Sequence, residues 1–355
     1  MKAILILEDG TAFQGESFGF GKSSSGEVVF NTGMVGYPES LTDPSYYGQI
    51  LSLTYPLIGN YGIPTKRLEE NLTTNFESHK IQVKGLVVNA YSEKFSHHAA
   101  AISLGEWMQE EKVPGITDID VRALTKHLRE KGAMLGKIII QDEEIGFYNP
   151  NTANVVENVS IQVPITYGKI GKKILLIDCG VKNSIIHSLL QRRMQVIRVP
   201  WNYDFLSDKK MDYDGIVVSN GPGNPEMCTT TIQNIANAFN EEKPIFGICL
   251  GNQLMALAAG AKTYKLKYGH RGQNQPVYIA DTKKCFITSQ NHGFAVNEST
   301  LPRDWKVWMK NANDETNEGI RHSRKPFFAV QFHPEANPGP KDTAFLFDEF
   351  FEALK

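Results

Sequence analysis

Cysteine is scarce: four in 355 residues, at positions 179, 228, 249 and 285, with no CxxC spacing. That excludes a disulfide framework and a structural zinc site of the usual cysteine spacing, and makes a reducing cytoplasm the expected compartment. Long apolar runs are missing as well. Nothing approaches the roughly 20 residues of a membrane-spanning helix, and the opening MKAILILEDG meets acid too early for a signal sequence, so a soluble chain is expected. Charge of one sign is absent: 37 basic residues against 39 acidic ones leave −2, which gives no footprint for nucleic acid or an anionic membrane. There is no fixed-period repeat, no GxxxxGKS/T phosphate loop, and no histidine–carboxylate run at metal-ligand spacing, so neither ATP nor a metal is expected in this chain.

What remains is an ordinary globular composition, 41% hydrophobic and 21% charged, in a chain long enough for about two domains. PITYGKIGKK, rich in Gly, Pro and Lys, separates two differently patterned halves, giving expected domains at 1–165 and 172–355. The first half carries short β-rich runs (KAILIL, EVVFNTG, IQVKGLVV) and one clear helix. In DIDVRALTKHLREKGAM, Val121, Leu124 and Leu128 recur at helical spacing behind an Asp and ahead of Gly132. A β-rich α+β domain is expected there.

The second half alternates apolar strands with helices of about three turns, the pattern of an open, mostly parallel sheet covered on both faces. Such sheets bind ligands at the carboxyl ends of their strands. Three of those ends are unusual. PIFGI runs into Cys249, GIVV into the glycine loop SNGPGNP, and FFAVQF into HPE.

Cys249, flanked by Gly247 and Gly251, sits where strand turns sharply into helix, the arrangement of a nucleophile elbow. The adjoining helix start favours a thiolate, and the N–H of Leu250 is placed to meet an oxyanion. His333 and Glu335, two apart on extended chain, face the same way, so the carboxylate can orient an imidazole that exchanges a proton with the thiol. The glycines of SNGPGNP offer further N–H donors, although such a loop alone is commonly just a turn. SQNHGFAV, with Asn291 and Gly293, reads by itself as a hairpin turn. Cys179, Cys228 and Cys285 read as structural, and His97 and His98 as solvent-exposed. His292, inside QNHGF, is the remaining histidine that invites a role.

Taken together, GICLGNQ, SNGPG and QFHPE resemble the class I, triad-type glutamine amidotransferases. FNTGMVGYPESLTDPSYYGQI, GITDIDVRALTKHLREKGAM, LKYGHRGQNQPV and TSQNHGFAV are similar to the glutamine-hydrolysing small subunit of carbamoyl phosphate synthetases, so the resemblance covers nearly the whole chain. It implies Cys249 as nucleophile, His333 as proton carrier and Glu335 as its orienting partner. It also implies a site for L-glutamine formed by Ser45, Gly221, Gly223, Leu250, Gln253, Asn291, Gly293 and Phe294, with Ser45 coming from the first domain. By the same resemblance, ammonia passes to a large synthetase subunit that holds ATP and magnesium and makes carbamoyl phosphate for pyrimidine and arginine synthesis. The first domain would serve for docking that partner. Asn252 departs from the family's GICLGHQ pattern, a change that bears on rate and affinity more than on the reaction. Two other readings remain: the glutaminase of a different amidotransferase, which would lack such a first domain, and a scaffold subunit that only activates a synthetase.

Overall fold

The computed structural model describes residues 1–354, and the chain divides into units 1–152 and 153–355. In the first unit, β1 (Lys2–Leu7), β2 (Ala12–Gly19), β3 (Ser24–Asn31), β4 (Gln49–Leu53), β5 (Gly85–Val87), β6 (Pro114–Thr117) and β7 (Met134–Ile140) close into a barrel ordered β1-β7-β3-β4-β5-β6-β2. Alternation builds it. Ala3, Leu5 and Leu7 of β1 and Met134, Ile138 and Ile140 of β7 are buried, while their sequence neighbours are at most partly so. Gly136 is required where a Cβ would come within 2.4 Å of Val28. Three helices accompany the barrel: α1 (Tyr37–Thr42), α2 (Leu104–Glu110) and α3 (Val121–Lys131). The last is the helix expected from the sequence. Asp120 caps it by accepting the Ala123 N–H at 2.8 Å, and Gly132, at φ +107°, ends it.

The second unit is one ten-stranded sheet. Its strands are β8 (Ile165–Tyr167), β9 (Lys173–Asp178), β10 (Gln195–Pro200), β11 (Gly215–Val218), β12 (Ile245–Ile248), β13 (Lys262–Ile279), β14 (Cys285–Asn297), β15 (Trp305–Asn311), β16 (Asn317–His322) and β17 (Phe327–Val330). The order is β8-β10-β9-β11-β12-β17-β16-β15-β13-β14. Strands β10, β9, β11, β12 and β17 are mutually parallel, and the others extend this core antiparallel. Burial on both faces explains the unbroken apolar runs: Ile174, Leu175, Leu176 and Ile177 are all buried, each stabilising the fold by about 1.5–3 kcal/mol. Side-chain alternation separates the faces. Ile245 joins a core with Ile235 of α5 (Thr229–Ala238) and Leu254 of α6 (Leu250–Ala258). Its neighbour Phe246 packs on Phe347 and Phe350 of α7 (Phe345–Ala353), at ring separations of 5.7 and 5.8 Å. The remaining helix, α4 (Asn183–Gln191), links β9 to β10.

The unit boundary lies ahead of the linker expected from composition. Val156 is buried in the second core, Ile161 donates its N–H to Asp178 Oδ2 at 2.8 Å, and Ile165–Tyr167, within the expected linker, pairs with β10 as an edge strand. Gly, Pro and Lys there mark an exposed sheet edge. SQNHGFAV is likewise no turn: it lies inside β14, paired with β13.

Candidate active site

Cys249 joins β12 to α6 within one residue. Its N–H donates to Val330 O at 2.8 Å, continuing the pairing with β17, and its carbonyl accepts from Asn252 N–H at 3.1 Å, opening the helix. The turn forces φ to +56°, a left-handed conformation costly for a side chain bearing a Cβ. Glycine on both sides makes it feasible. A Cβ on Gly251 would stand 2.2 Å from Val218 O, and one on Gly247 would stand 2.6 Å from Met255 Sδ. Leu250 begins α6, so its N–H is among those the helix itself leaves without an acceptor.

His333 follows β17, and its N–H donates to Ser289 O of β14 at 2.9 Å. The ring is held by Glu335, whose Oε1 lies 2.6 Å from His333 Nδ1, while Nε2 has no hydrogen-bond partner among the described residues. Burial by itself would depress the imidazole; the Glu335 carboxylate and the Cys249 sulfur outweigh it and raise its pKa to about 10. Burial alone would also raise Glu335, but Lys182 and His333 hold it down at about 2. The site is thus a buried chain of ion pairs with the open imidazole nitrogen toward the thiol. Cys249 and His333 are each 2% exposed, so the low dielectric strengthens every link.

Lys182 is the residue that sequence reasoning passed over. Its ammonium lies 2.9 Å from Glu335 Oε1 and 2.8 Å from Ala336 O, and its N–H donates to Asn220 Oδ1 in the glycine loop. Asp178 shapes that turn, accepting from Gly180 and Val181 N–H through Oδ1 and from Arg198 through Oδ2. The available signal was positional: DCGVK occupies the carboxyl end of a parallel strand beside the other three.

The remaining candidates of the second unit lie on the elements around this chain. Gly221 abuts the start of α6, where a Cβ would lie 2.8 Å from Leu250 Cδ2 and 2.0 Å from Cys179 O. Gly223 takes φ +84°. Asn291 brings its carbonyl to 3.7 Å from Cys249 Sγ. Gln253 donates through Nε2 to Phe294 O at 2.9 Å and Gln331 Oε1 at 3.1 Å, so it braces the strand bearing Gly293 and Phe294. Asn252, fully buried, directs Nδ2 to Gln331 Oε1 at 3.4 Å and leaves Oδ1 without a hydrogen-bond partner among the described residues. Ser45 belongs to the first unit, in the single turn Pro44–Tyr46, where its N–H donates to Asp43 Oδ1 at 2.9 Å.

The other cysteines divide differently from expectation. Cys179 and Cys228 are buried, and burial pushes both thiols up, Cys228 to about 12. Cys285 is exposed at the start of an edge strand, so packing does not explain it. Leading a β-run was a poor guide to burial because an edge strand keeps one side toward solvent.

Comparison with known proteins agrees with this geometry. The glutamine amidotransferase class-I family model matches residues 175–353, and that of the carbamoyl-phosphate synthase small chain, CPSase domain, matches residues 5–138. A human mitochondrial carbamoyl-phosphate synthase named for ammonia is 51% identical over 99% of the chain, which covers 24% of that protein. The multifunctional protein CAD of Squalus acanthias is 51% identical and pyrABCN of Emericella nidulans 48%, each over 99% of the chain and 16% and 17% of their own lengths. The chain therefore spans about a quarter or less of these relatives. No helix among the described residues is long and apolar enough to cross a membrane. By its motifs, its fold and these matches, the chain belongs to the class-I glutamine amidotransferase family, in the branch carrying the carbamoyl-phosphate synthase small-chain domain.

Proposed function

We propose that the chain hydrolyses L-glutamine to glutamate and ammonia and delivers the ammonia to a synthetase partner that makes carbamoyl phosphate. The observation that carries this reading is the Cys249 elbow beside the His333–Glu335 pair. Likeness alone does not supply it, since one relative of the same identity is named for ammonia. The cysteine sulfur adds to the side-chain amide carbon of glutamine, and the resulting oxyanion takes N–H donors from Leu250 and the Gly221–Gly223 loop. His333 delivers a proton through Nε2 to the amide nitrogen, the C–N bond breaks, and ammonia leaves a γ-glutamyl thioester. Water then attacks the thioester, giving its proton back through His333, and the C–S bond breaks to release glutamate. Glu335, tied down by Lys182, keeps the imidazole oriented throughout.

Asn291, Gly293, Phe294 and Gln253 would hold the substrate, with Ser45 contributing from the first unit. ATP and magnesium would belong to the partner, whose docking would fall to the first unit, and the free cysteines suit a reducing cytoplasm. The test is synthesis by the complex of this chain with its synthetase partner. Cys249→Ala is expected to abolish carbamoyl phosphate formation from glutamine while leaving formation from free ammonia within about twofold of wild type, because only the nucleophile is removed. Unchanged use of glutamine by the variant would overturn the proposal, and use of ammonia but not glutamine by the unmutated complex would show a scaffold role instead.

A further inference from the structure

Away from the thiol, three strands bring together a second set of donor atoms that sequence spacing could not reveal. His270 of β13 and His292 of β14 are cross-strand partners with rings 5.0 Å apart, and Glu318 of β16 lies beside them. The histidine nitrogens and a carboxylate oxygen of this trio lie within 4.8 Å of one another, and all three residues are buried.

Their hydrogen bonds do not close. His292 Nδ1 lies 2.8 Å from Phe294 O, and Nε2 lies 3.1 Å from Gln290 Oε1. Both neighbours are acceptors, and a neutral imidazole has a single N–H. With the shorter contact taking that proton, the Nε2 lone pair faces an oxygen. His270 repeats the arrangement: Nε2 is committed to Asp314 Oδ2 at 2.9 Å, leaving Nδ1 without a hydrogen bond, 3.5 Å from Glu318 Oε1. Glu318 accepts from Asn311 Nδ2 at 3.1 Å through Oε1, and its Oε2 has no hydrogen-bond partner among the described residues. Acceptor atoms from four side chains thus converge in a buried space, with the Asn311 amide donating to Glu318 at its edge. Each histidine also gives its other nitrogen to a carboxylate or backbone carbonyl, the arrangement that fixes the tautomer of metal-ligating imidazoles.

We propose that His270 Nδ1, His292 Nε2 and the Glu318 carboxylate bind a divalent transition-metal cation of the zinc class, with Gln290 Oε1 or water completing a tetrahedral set. Two imidazoles and a carboxylate are an established zinc ligand set. The ion would join β13, β14 and β16 and fix the segment bearing Asn291, Gly293 and Phe294, a structural role separate from the thiol chemistry.

The full chain carrying Cys249→Ala, so that the catalytic thiol cannot capture metal, is stripped with chelator and titrated with zinc and with cobalt. About one equivalent per chain should bind, with cobalt developing the visible absorption of a tetrahedral site. Glu318→Gln and His270→Gln should each weaken binding by about 100-fold or more, at or beyond the upper end of what loss of a supporting partner costs. Circular dichroism and thermal melting establish that each variant is folded; zinc should raise the melting temperature of the parent and not of a folded variant. Uptake below about a tenth of an equivalent in the folded parent overturns the proposal, leaving a proton shared between His270 and Glu318 as the closing cation. Equal uptake by a folded variant overturns it also.

Discussion

Two cysteines stand at the carboxyl ends of strands in the same parallel sheet, and only one is built to react. After β9, Cys179 continues the strand direction and the following Gly180 takes the positive φ, +112°; after β12, Cys249 itself takes it, at +56°. The first turn leaves its sulfur in the core and its N–H on Ser219 Oγ at 2.9 Å, and burial raises its thiol well above the ordinary range. The second lifts its sulfur to the strand-end edge, facing His333. A one-residue shift in where the chain bends separates a packing group from the proposed nucleophile. Paired substitutions should expose this: Cys249→Ala is expected to lower glutamine hydrolysis by about 10³-fold or more, whereas Cys179→Ala should leave the rate within about threefold and cost roughly 1–2 kcal/mol of stability. Ammonia release and urea denaturation measure the two. Equal losses of rate would break the distinction.

Within the reactive site the same contrast recurs between groups that move a proton and groups that hold it in place. His333→Ala should cost about 10²- to 10⁴-fold in kcat, the ordinary range for general acid–base catalysis. A loss below about threefold would remove it from the mechanism. Lys182→Met should cost less at neutral pH, about tenfold, because its partner remains present. Its signature is the pH profile. Glu335, held at about 2 against an ordinary 4.5, supplies its ion-pair stabilisation fully above 4.5 and loses it as pH falls toward 2. His333, raised to about 10 from 6.5, supplies its own fully below 6.5 and loses it as pH rises through 10. Without the Lys182 cation the Glu335 value must rise, so the acid limb of kcat moves to higher pH while the alkaline limb stays with His333. An unmoved acid limb would show that Lys182 only fills space.

The proposed catalytic residues Cys249, His333 and Glu335 stood out in the sequence because they sit where a simple pattern breaks, at the carboxyl ends of apolar strands. The parallel core and helix Val121–Lys131 were legible through periodicity. Four features were not. Ile165–Tyr167 carries too little apolar character to announce an edge strand, and a barrel closes through pairings far apart in sequence. QNHGF contains the polar and glycine residues of a turn, yet cross-strand partners on β13 keep it extended. Lys182 gains its meaning from Glu335, brought near only by the sheet. Local composition reports local conformation; contacts between distant strands are where it stops.

Cys285 sharpens the comparison from the other side, since it is the one exposed thiol among the described residues, and its sulfur lies 4.0 Å from Phe286 O. Exposure and activation should therefore separate under two reagents. A small neutral thiol reagent is expected to modify Cys285 first because access governs that reaction, whereas a glutamine-like electrophile should modify Cys249 first because the site binds it against an oriented imidazole. Cys179 and Cys228 should resist both until the chain unfolds. Peptide mapping after brief exposure reads the order, and free glutamine should slow labelling of Cys249 alone. Protection of Cys285 by glutamine, or labelling of Cys179 ahead of Cys249, would mean that the bend at residue 249 does not decide which thiol reacts.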